Sequence, residues 1–257
     1  MEYGQCSVAI APGRAEASDK SEIITQLLFG ETFTIIENTI KWALVRCTHD
    51  GYECWMDKKQ MIEFNQSEYK KIISSSDFRC GARVVYPENA PHYLTYGAVL
   101  PILKGKKYRF DGEQFGYDDE IVFTAGKPDC DSLIQSAMIY LNAPYLWGGR
   151  SPFGIDCSGF TQMVFLMAGE NLPRDAYQQA EIGETVDFIS EAKPGDLAFF
   201  DNDEGKIIHV GIVLEDNKII HASGKVRIDD IDHNGIFHSE EKFYSHQLRI
   251  IKRVIQF

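Results

Sequence analysis

Nothing in this 257-residue chain approaches the roughly 18 consecutive apolar residues that a membrane-spanning helix needs. A basic tract is missing too: the densest is Lys104-Gly105-Lys106-Lys107, and the net charge is −12. Phosphate backbones are bound by clustered cations, so no nucleic-acid partner is expected. The acidity is read as solubility rather than steering of a cationic substrate. Cysteines at 6, 47, 54, 80, 130 and 157 include no Cys-x-x-Cys pair, so neither a zinc site nor a disulfide framework is encoded. No export signal is expected either. Met1-Glu2-Tyr3-Gly4 puts an acidic residue where the signal would be basic, and the apolar run that follows is very short. The expectation is a cytoplasmic monomer with no membrane partner, or a periplasmic or exported one if a leader has been removed.

What is present is chemistry around Cys157. The loop from Tyr145 to Asp156 is rich in glycine and holds Pro152. It runs into Cys157-Ser158-Gly159-Phe160, where Phe160, Val164 and Met167 recur as one face of a buried helix should. Cys157 then lies in the first turn, where unpaired N–H groups favour an anion and should lower the thiol pKa. Two strand-like runs, 207–214 and 218–223, carry His209 and His221, and Glu215-Asp216-Asn217 between them has turn chemistry. A three-residue loop pairing Leu214 with Lys218 sets His221 opposite Gly211, with His209 its diagonal neighbour on the same face. The two Cβ atoms would be roughly 7–8 Å apart, within reach of each other. A two-residue loop would put the two rings on opposite faces.

Further upstream, residues 22–28, 32–36, 41–46 and 52–56 read as short strands separated by glycine turns, and 11–16 as a polar loop. Asp50-Gly51 reads as a two-residue turn, which sets Cys47 opposite Cys54. These thiols stay reduced in a reducing compartment and could bridge in an exported chain. Residues 82–86, 98–103 and 120–124 are strand-like. A helix capped by Asp131 or Ser132 follows, then the Cys157 helix, then strands at 196–200, 207–214, 218–223 and 248–255. Helices first and an antiparallel sheet after make this part α+β.

The motifs Tyr145-x-Trp147-Gly148-Gly149, Gly154-x-Asp156-Cys157-Ser158-Gly159-Phe160, Pro194-Gly195-Asp196-Leu197, His209-Val210-Gly211-Ile212 and His221-Ala222-Ser223 resemble those of the NlpC family of papain-like cysteine peptidases. The order of turn, Trp42 and Asp50-Gly51-Tyr52-x-x-Trp55 resembles bacterial SH3-like domains. The expected architecture is a papain-like catalytic domain (129–257) preceded by two small SH3-like β-barrels, 1–65 and a degenerate 66–128. The resemblance implies Cys157 as nucleophile, His209 as general base, His221 as orienter and Tyr145 as an oxyanion donor, with no metal or cofactor. The implied substrate is a murein peptide cut at a γ-D-glutamyl bond to a diamino acid. Arg174, or Ser158 with nearby backbone donors, would hold the substrate carboxylate, Arg150 being a weaker choice. Asp175 would take a free L-Ala amine and Asp156 assist beside the nucleophile. Trp147 would line the site, and Glu16 and Tyr52 would close the amine pocket. The rival readings are an exported wall hydrolase or amidase, or an acyltransferase using the same Cys–His pair.

Overall fold

Seven antiparallel strands form the amino-terminal sheet: β1 (Glu2–Cys6), β2 (Ile10–Arg14), β3 (Ile23–Leu28), β4 (Thr32–Asn38), β5 (Trp42–Cys47), β6 (Glu53–Asp57) and β7 (Met61–Phe64). Their spatial order is β3-β2-β6-β5-β4-β1-β7. The computed structural model describes residues 2–74, 78–81, 84–85, 93–100, 102–103, 107–110, 113–116, 122–124, 129–239 and 241–257. These fall into two compact units, Met1–Gly126 with Trp147–Pro152, and Lys127–Leu146 with Phe153–Phe257.

In the first unit, inward-facing Cys6, Leu27, Phe33, Val45 and Met56 form one apolar core. Two expectations fail here. Residues 11–16 are not all loop, because Ala11 and Gly13 alternate inward along β2. Small residues and Pro12 disguise that period; β2 meets β6 only at Arg14, so the missing N–H of Pro12 is tolerated. The turn between β5 and β6 is also longer than two residues. Cys47 N–H donates to the Tyr52 carbonyl and Val45 pairs with Cys54, so Thr48 to Gly51 form the loop. Cys47 is therefore a diagonal neighbour of Cys54 rather than its partner, and both are free buried thiols.

The stretch 66–128, where a second barrel is expected, opens with a helix, α1 (Gln66–Ile73), closed at its start by a reciprocal capping box between Asn65 and Glu68. Tyr69 of α1 stacks on Tyr3 with centroids 4.2 Å apart. Beyond it only short pairings occur among the described residues, such as Phe78–Cys80 with Val122–Thr124 and Lys107–Phe110 with Glu113–Gly116. The rest of that expected barrel lies outside the described residues.

Arg150 belongs to the first unit and is fully buried there. Its Nη1 donates to Glu31 Oε2 at 2.8 Å and its Nη2 to Oε1 at 3.0 Å, while Nη1 also reaches the Gln26 carbonyl at 2.7 Å. Burial opposes the Glu31 charge, yet the guanidinium and His49 hold its carboxyl below the usual range. Arg150 is thus a structural cation, not a substrate ligand.

The second unit starts with α2 (Cys130–Ile139), capped by Asp129 accepting from Ser132 N–H, not by Asp131 or Ser132 as expected. Next come α3 (Cys157–Met167), buried along its whole length, and α4 (Ala176–Gln179). The sheet strands are β8 (Glu184–Val186), β9 (Leu197–Asp201), β10 (Ile207–Val213), β11 (Lys218–Ser223), β12 (Lys225–Asp232), β13 (Gly235–His238) and β14 (Phe243–Arg253). They run in the order β8-β14-β9-β10-β11-β12-β13, and β13 also pairs with β14, so six strands return on themselves. Helix α3 packs on β10 and β11. The α+β expectation holds in this unit. Among the described residues no helix is long and apolar enough to cross a membrane.

Removing one partner of a buried ion pair strands the other charge, which costs about 3–5 kcal/mol. Glu31→Gln is therefore expected to lower the unfolding midpoint in urea sharply, whereas exposed Glu53→Gln, paired with Arg46 on the surface, should barely move it. Similar midpoints for the two variants would contradict the role given to Arg150.

Candidate active site

Cys157 is the first residue of α3, with Asp156 as N-cap accepting from Gly159 N–H at 2.7 Å. The position is the expected one, but its electrostatic outcome is not. Burial, with the Asp156 carboxylate next in weight, pushes the thiol up to about 12, and main-chain contacts from Val210 and Ser158 only partly oppose this. The helix terminus does not win against desolvation. Burial thus favours the protonated thiol of Cys157.

Two strands supply the imidazoles. Asp216 and Asn217 adopt positive φ in the loop, Leu214 N–H donates to the Lys218 carbonyl, and Gly211 pairs with His221. The expected three-residue hairpin and register are both present. His209 Nε2 and His221 Nδ1 are 2.9 Å apart, in rings crossed at 85°. Gly211 makes the approach possible, since a Cβ there would lie 2.8 Å from the His221 Cβ. Burial holds His209 well below its ordinary pKa, and His221 and His246 add to the effect. Burial also lowers His221, against the pull of Asp229. His209 is therefore held toward the neutral imidazole, the form able to act as a base.

Sequence reasoning missed three neighbours. Asp229 on β12 lies with Oδ2 at 2.9 Å from His221 Nε2. Arg227 donates from Nη2 to Asp229 Oδ1 at 2.8 Å, and its Nε is 2.7 Å from Oδ2. Burial opposes the Asp229 charge, but hydrogen bonds from His221 and Arg227 hold its carboxyl at about 2. The signal was present. Gly224 links β11 directly to β12 at φ 68°, pairing Ser223 with Lys225 and thus His221 with Arg227, so Asp229 is diagonal to His221. The third neighbour, His246, stacks on His209 at 4.1 Å, and burial takes its pKa down to about 4. Ring nitrogens of His209, His221 and His246 all lie within 4.8 Å of one another, a donor set able to take a metal. His209 Nε2 and His221 Nδ1 are already hydrogen-bonded to each other.

The other expected residues divide into two groups. Arg174 is buried and bidentate to Asp156, Nη1 to Oδ1 at 3.0 Å and Nη2 to Oδ2 at 2.6 Å, with Nη1 also 3.0 Å from Ser158 Oγ. It braces the nucleophile's neighbours and is committed to them rather than to a ligand. Gln179 ties the same region together through the carbonyls of Ser158 and Pro173. Asp175 is the N-cap of α4, its N–H donating to Gln178 Oε1 at 3.2 Å. Tyr145 is half-buried; burial, then Cys157 and Asp156, push its phenol up, so it keeps its proton and can donate. Trp147, Glu16 and Tyr52 all belong to the first unit. There the exposed Trp147 indole donates to Glu22 Oε1 at 2.5 Å, Glu16 is exposed with its N–H on Ser21 Oγ, and half-buried Tyr52 donates its N–H to Asp50.

The profile of the NlpC/P60 family matches residues 142–244, and that of the bacterial dipeptidyl-peptidase Sh3 domain matches 13–61. The chain is 34% identical over 219 residues to the gamma-D-glutamyl-L-lysine dipeptidyl-peptidase of Bacillus subtilis, an overlap of 78% of this chain and 72% of that protein. The Bacillus cereus protein of the same name is 29% identical over 236 residues, covering 80% and 68%. The fold matches a crystal structure of an NlpC/P60 family protein from Bacillus cereus at a TM-score of 0.83 and 23% identity, spanning 99% of this chain and 100% of that one.

With the proton on sulfur at neutral pH, iodoacetamide alkylation of Cys157 should climb roughly tenfold per pH unit from 7 to 9, without a plateau. A plateau below pH 7 would reveal a preformed thiolate. Gly211→Val should depress activity strongly by displacing His221, with circular dichroism unchanged; wild-type rates would show that the close approach is dispensable.

Proposed function

Because the chain belongs to the NlpC/P60 family and is a cysteine peptidase related to enzymes of wall-peptide cleavage, we propose that it hydrolyses the γ-D-glutamyl bond to a diamino acid, diaminopimelate or lysine, in murein peptides with a free N-terminal L-Ala. The product is L-Ala-γ-D-Glu. One observation carries the reading: a buried Cys157 on α3 and the His209–His221 pair on β10 and β11 occur in a chain that aligns over most of its length with two gamma-D-glutamyl-L-lysine dipeptidyl-peptidases.

The chemistry follows from the protonation states. Cys157 Sγ attacks the scissile carbonyl as neutral His209 takes its proton, so charge separates only as the bond forms. The Cys157 backbone N–H and the Tyr145 hydroxyl face the developing oxyanion. The imidazolium then returns the proton to the leaving amine, leaving a thioester on Cys157. Water, deprotonated by His209, hydrolyses that thioester and regenerates the thiol. His221 keeps the His209 ring in place through Nε2, which leaves Nδ1 for the sulfur.

Asp175 is the proposed amine receptor. It follows Arg174, whose side chain is bonded to the residue before Cys157, so its place in the chain is tied to the nucleophile. A carboxylate built for an ammonium discriminates against an acylated terminus by several kcal/mol, because each group would lose its partner. Such a requirement suits recycling of released wall peptides in the cytoplasm rather than cutting of intact wall.

Cys157→Ala should abolish turnover with the fold intact, and His209→Ala should be nearly as severe. A free L-Ala-γ-D-Glu-diamino-acid tripeptide should be cleaved at least about 10²-fold faster than its N-acetyl form. Equal rates would remove the amine pocket and the recycling role; substantial activity in Cys157→Ala would move the nucleophile elsewhere.

A further inference from the structure

We propose that Asp229, clamped by Arg227, is a positioning residue that sets the tautomer of both histidines and thereby makes His209 Nδ1 the basic nitrogen. The inference rests on the assignment of Cys157 and His209 above.

The argument is a chain of single-proton choices. An ionised carboxylate only accepts hydrogen bonds, so the 2.9 Å contact from Asp229 Oδ2 to His221 Nε2 requires the proton on Nε2. Neutral His221 then has a bare Nδ1, which can only accept. The 2.9 Å contact to His209 Nε2 must therefore be donated by His209. Neutral His209 is in turn left with a bare Nδ1, the nitrogen a base for the thiol needs. One charge in the middle of β12 thus fixes a lone pair two rings away, with no direct contact to it. A hydroxyl or amide in place of Asp229 would not impose this order, since either can donate as well as accept.

Two observations show that the carboxylate is held for this task. Asp229 is only 6% exposed, yet both of its oxygens are engaged, Oδ1 by Arg227 Nη2 and Oδ2 by His221, with Arg227 Nε 2.7 Å from Oδ2. The geometry is also cross-strand rather than incidental. Arg227 is the direct partner of His221, and Asp229 the partner of Ile219, so a hairpin register holds all three side chains on one face. When His209 becomes an imidazolium during attack, the same chain offers its Nε2 proton an acceptor backed by negative charge.

The test reads tautomers and rates separately. Long-range ¹⁵N–¹H spectra of the histidine-labelled full chain should show Nε2–H on both His209 and His221 in the wild type. In Asp229→Asn the amide can donate to His221 Nε2, and a detectable share of both rings should move to Nδ1–H. On the tripeptide, Asp229→Asn should lose at least about 10²-fold in kcat with KM little changed, and Asp229→Glu should recover part of that loss. Circular dichroism and the urea midpoint identify a variant that merely fails to fold; Arg227→Lys, which keeps the cation but loses the fork, then gives a milder version of the same shifts. Nδ1–H on His209 in the wild type, or unchanged tautomers in a folded Asp229→Asn, overturns the proposal. So does wild-type kcat in Asp229→Asn where Cys157→Ala is inactive. An active Cys157→Ala would instead sink the peptidase assignment of Cys157, and the spectra would still decide the tautomer question.

Discussion

The 2.9 Å bond between His209 Nε2 and His221 Nδ1 is the interaction on which the site depends. It exists because the β10–β11 hairpin turns over three residues, two of them at positive φ, so that two histidines twelve positions apart share a face. One residue fewer in that loop would send the rings to opposite sides of the sheet. Gly211 completes the arrangement by leaving space under His221. Backbone geometry, not side-chain affinity, decides whether there is a base.

Burial then selects the chemistry. Cys157, His209 and His221 are each less than a tenth exposed, and each is pushed toward its neutral form. A helix N-terminus is worth about 0.3–1 kcal/mol to an anion, up to about 2 in partly buried geometry. Full desolvation of a charge shifts a pKa by up to several units. The larger effect prevails, and thiol and imidazole are each held toward the neutral form. The cost of separating charge is thus met only in the transition state, where substrate supplies the oxyanion and the backbone its donors.

Much of this was legible in the residues. The helix behind Cys157, the hairpin register and the pairing of Gly211 with His221 follow from period and turn chemistry, and the structure agrees with each. The failures share a cause: a turn or strand whose residues disguise it. Ala11 and Gly13 carry too little apolar bulk to announce β2. Asp50-Gly51 imitates a two-residue turn but closes a four-residue one, moving Cys47 off Cys54. Lys225–Asp232 holds four acidic or basic residues among its first six, so β12, which carries Asp229, does not stand out as an apolar run. Thiol ionisation was misread for another reason, since sequence reports position on a helix but not how much water is removed.

Buried charge is used in the same way in the two units, and that reuse explains why two plausible substrate cations are unavailable. Arg150 closes on both oxygens of Glu31 in the first unit, and Arg174 on both oxygens of Asp156 in the second. Each guanidinium is at most 2% exposed, so neither can be released to a ligand without stranding a carboxylate. Sequence motifs cannot distinguish an arginine held in reserve for substrate from one committed to a fold, because both occur near functional residues. Geometry can, by counting the carboxylate oxygens already within reach. Arg174 contributes at one remove: it holds Asp156 on the end of α3 and orients Ser158, the residues on either side of the nucleophile. Both neighbours of the nucleophile are thus fixed in advance by an arginine that stays where it is.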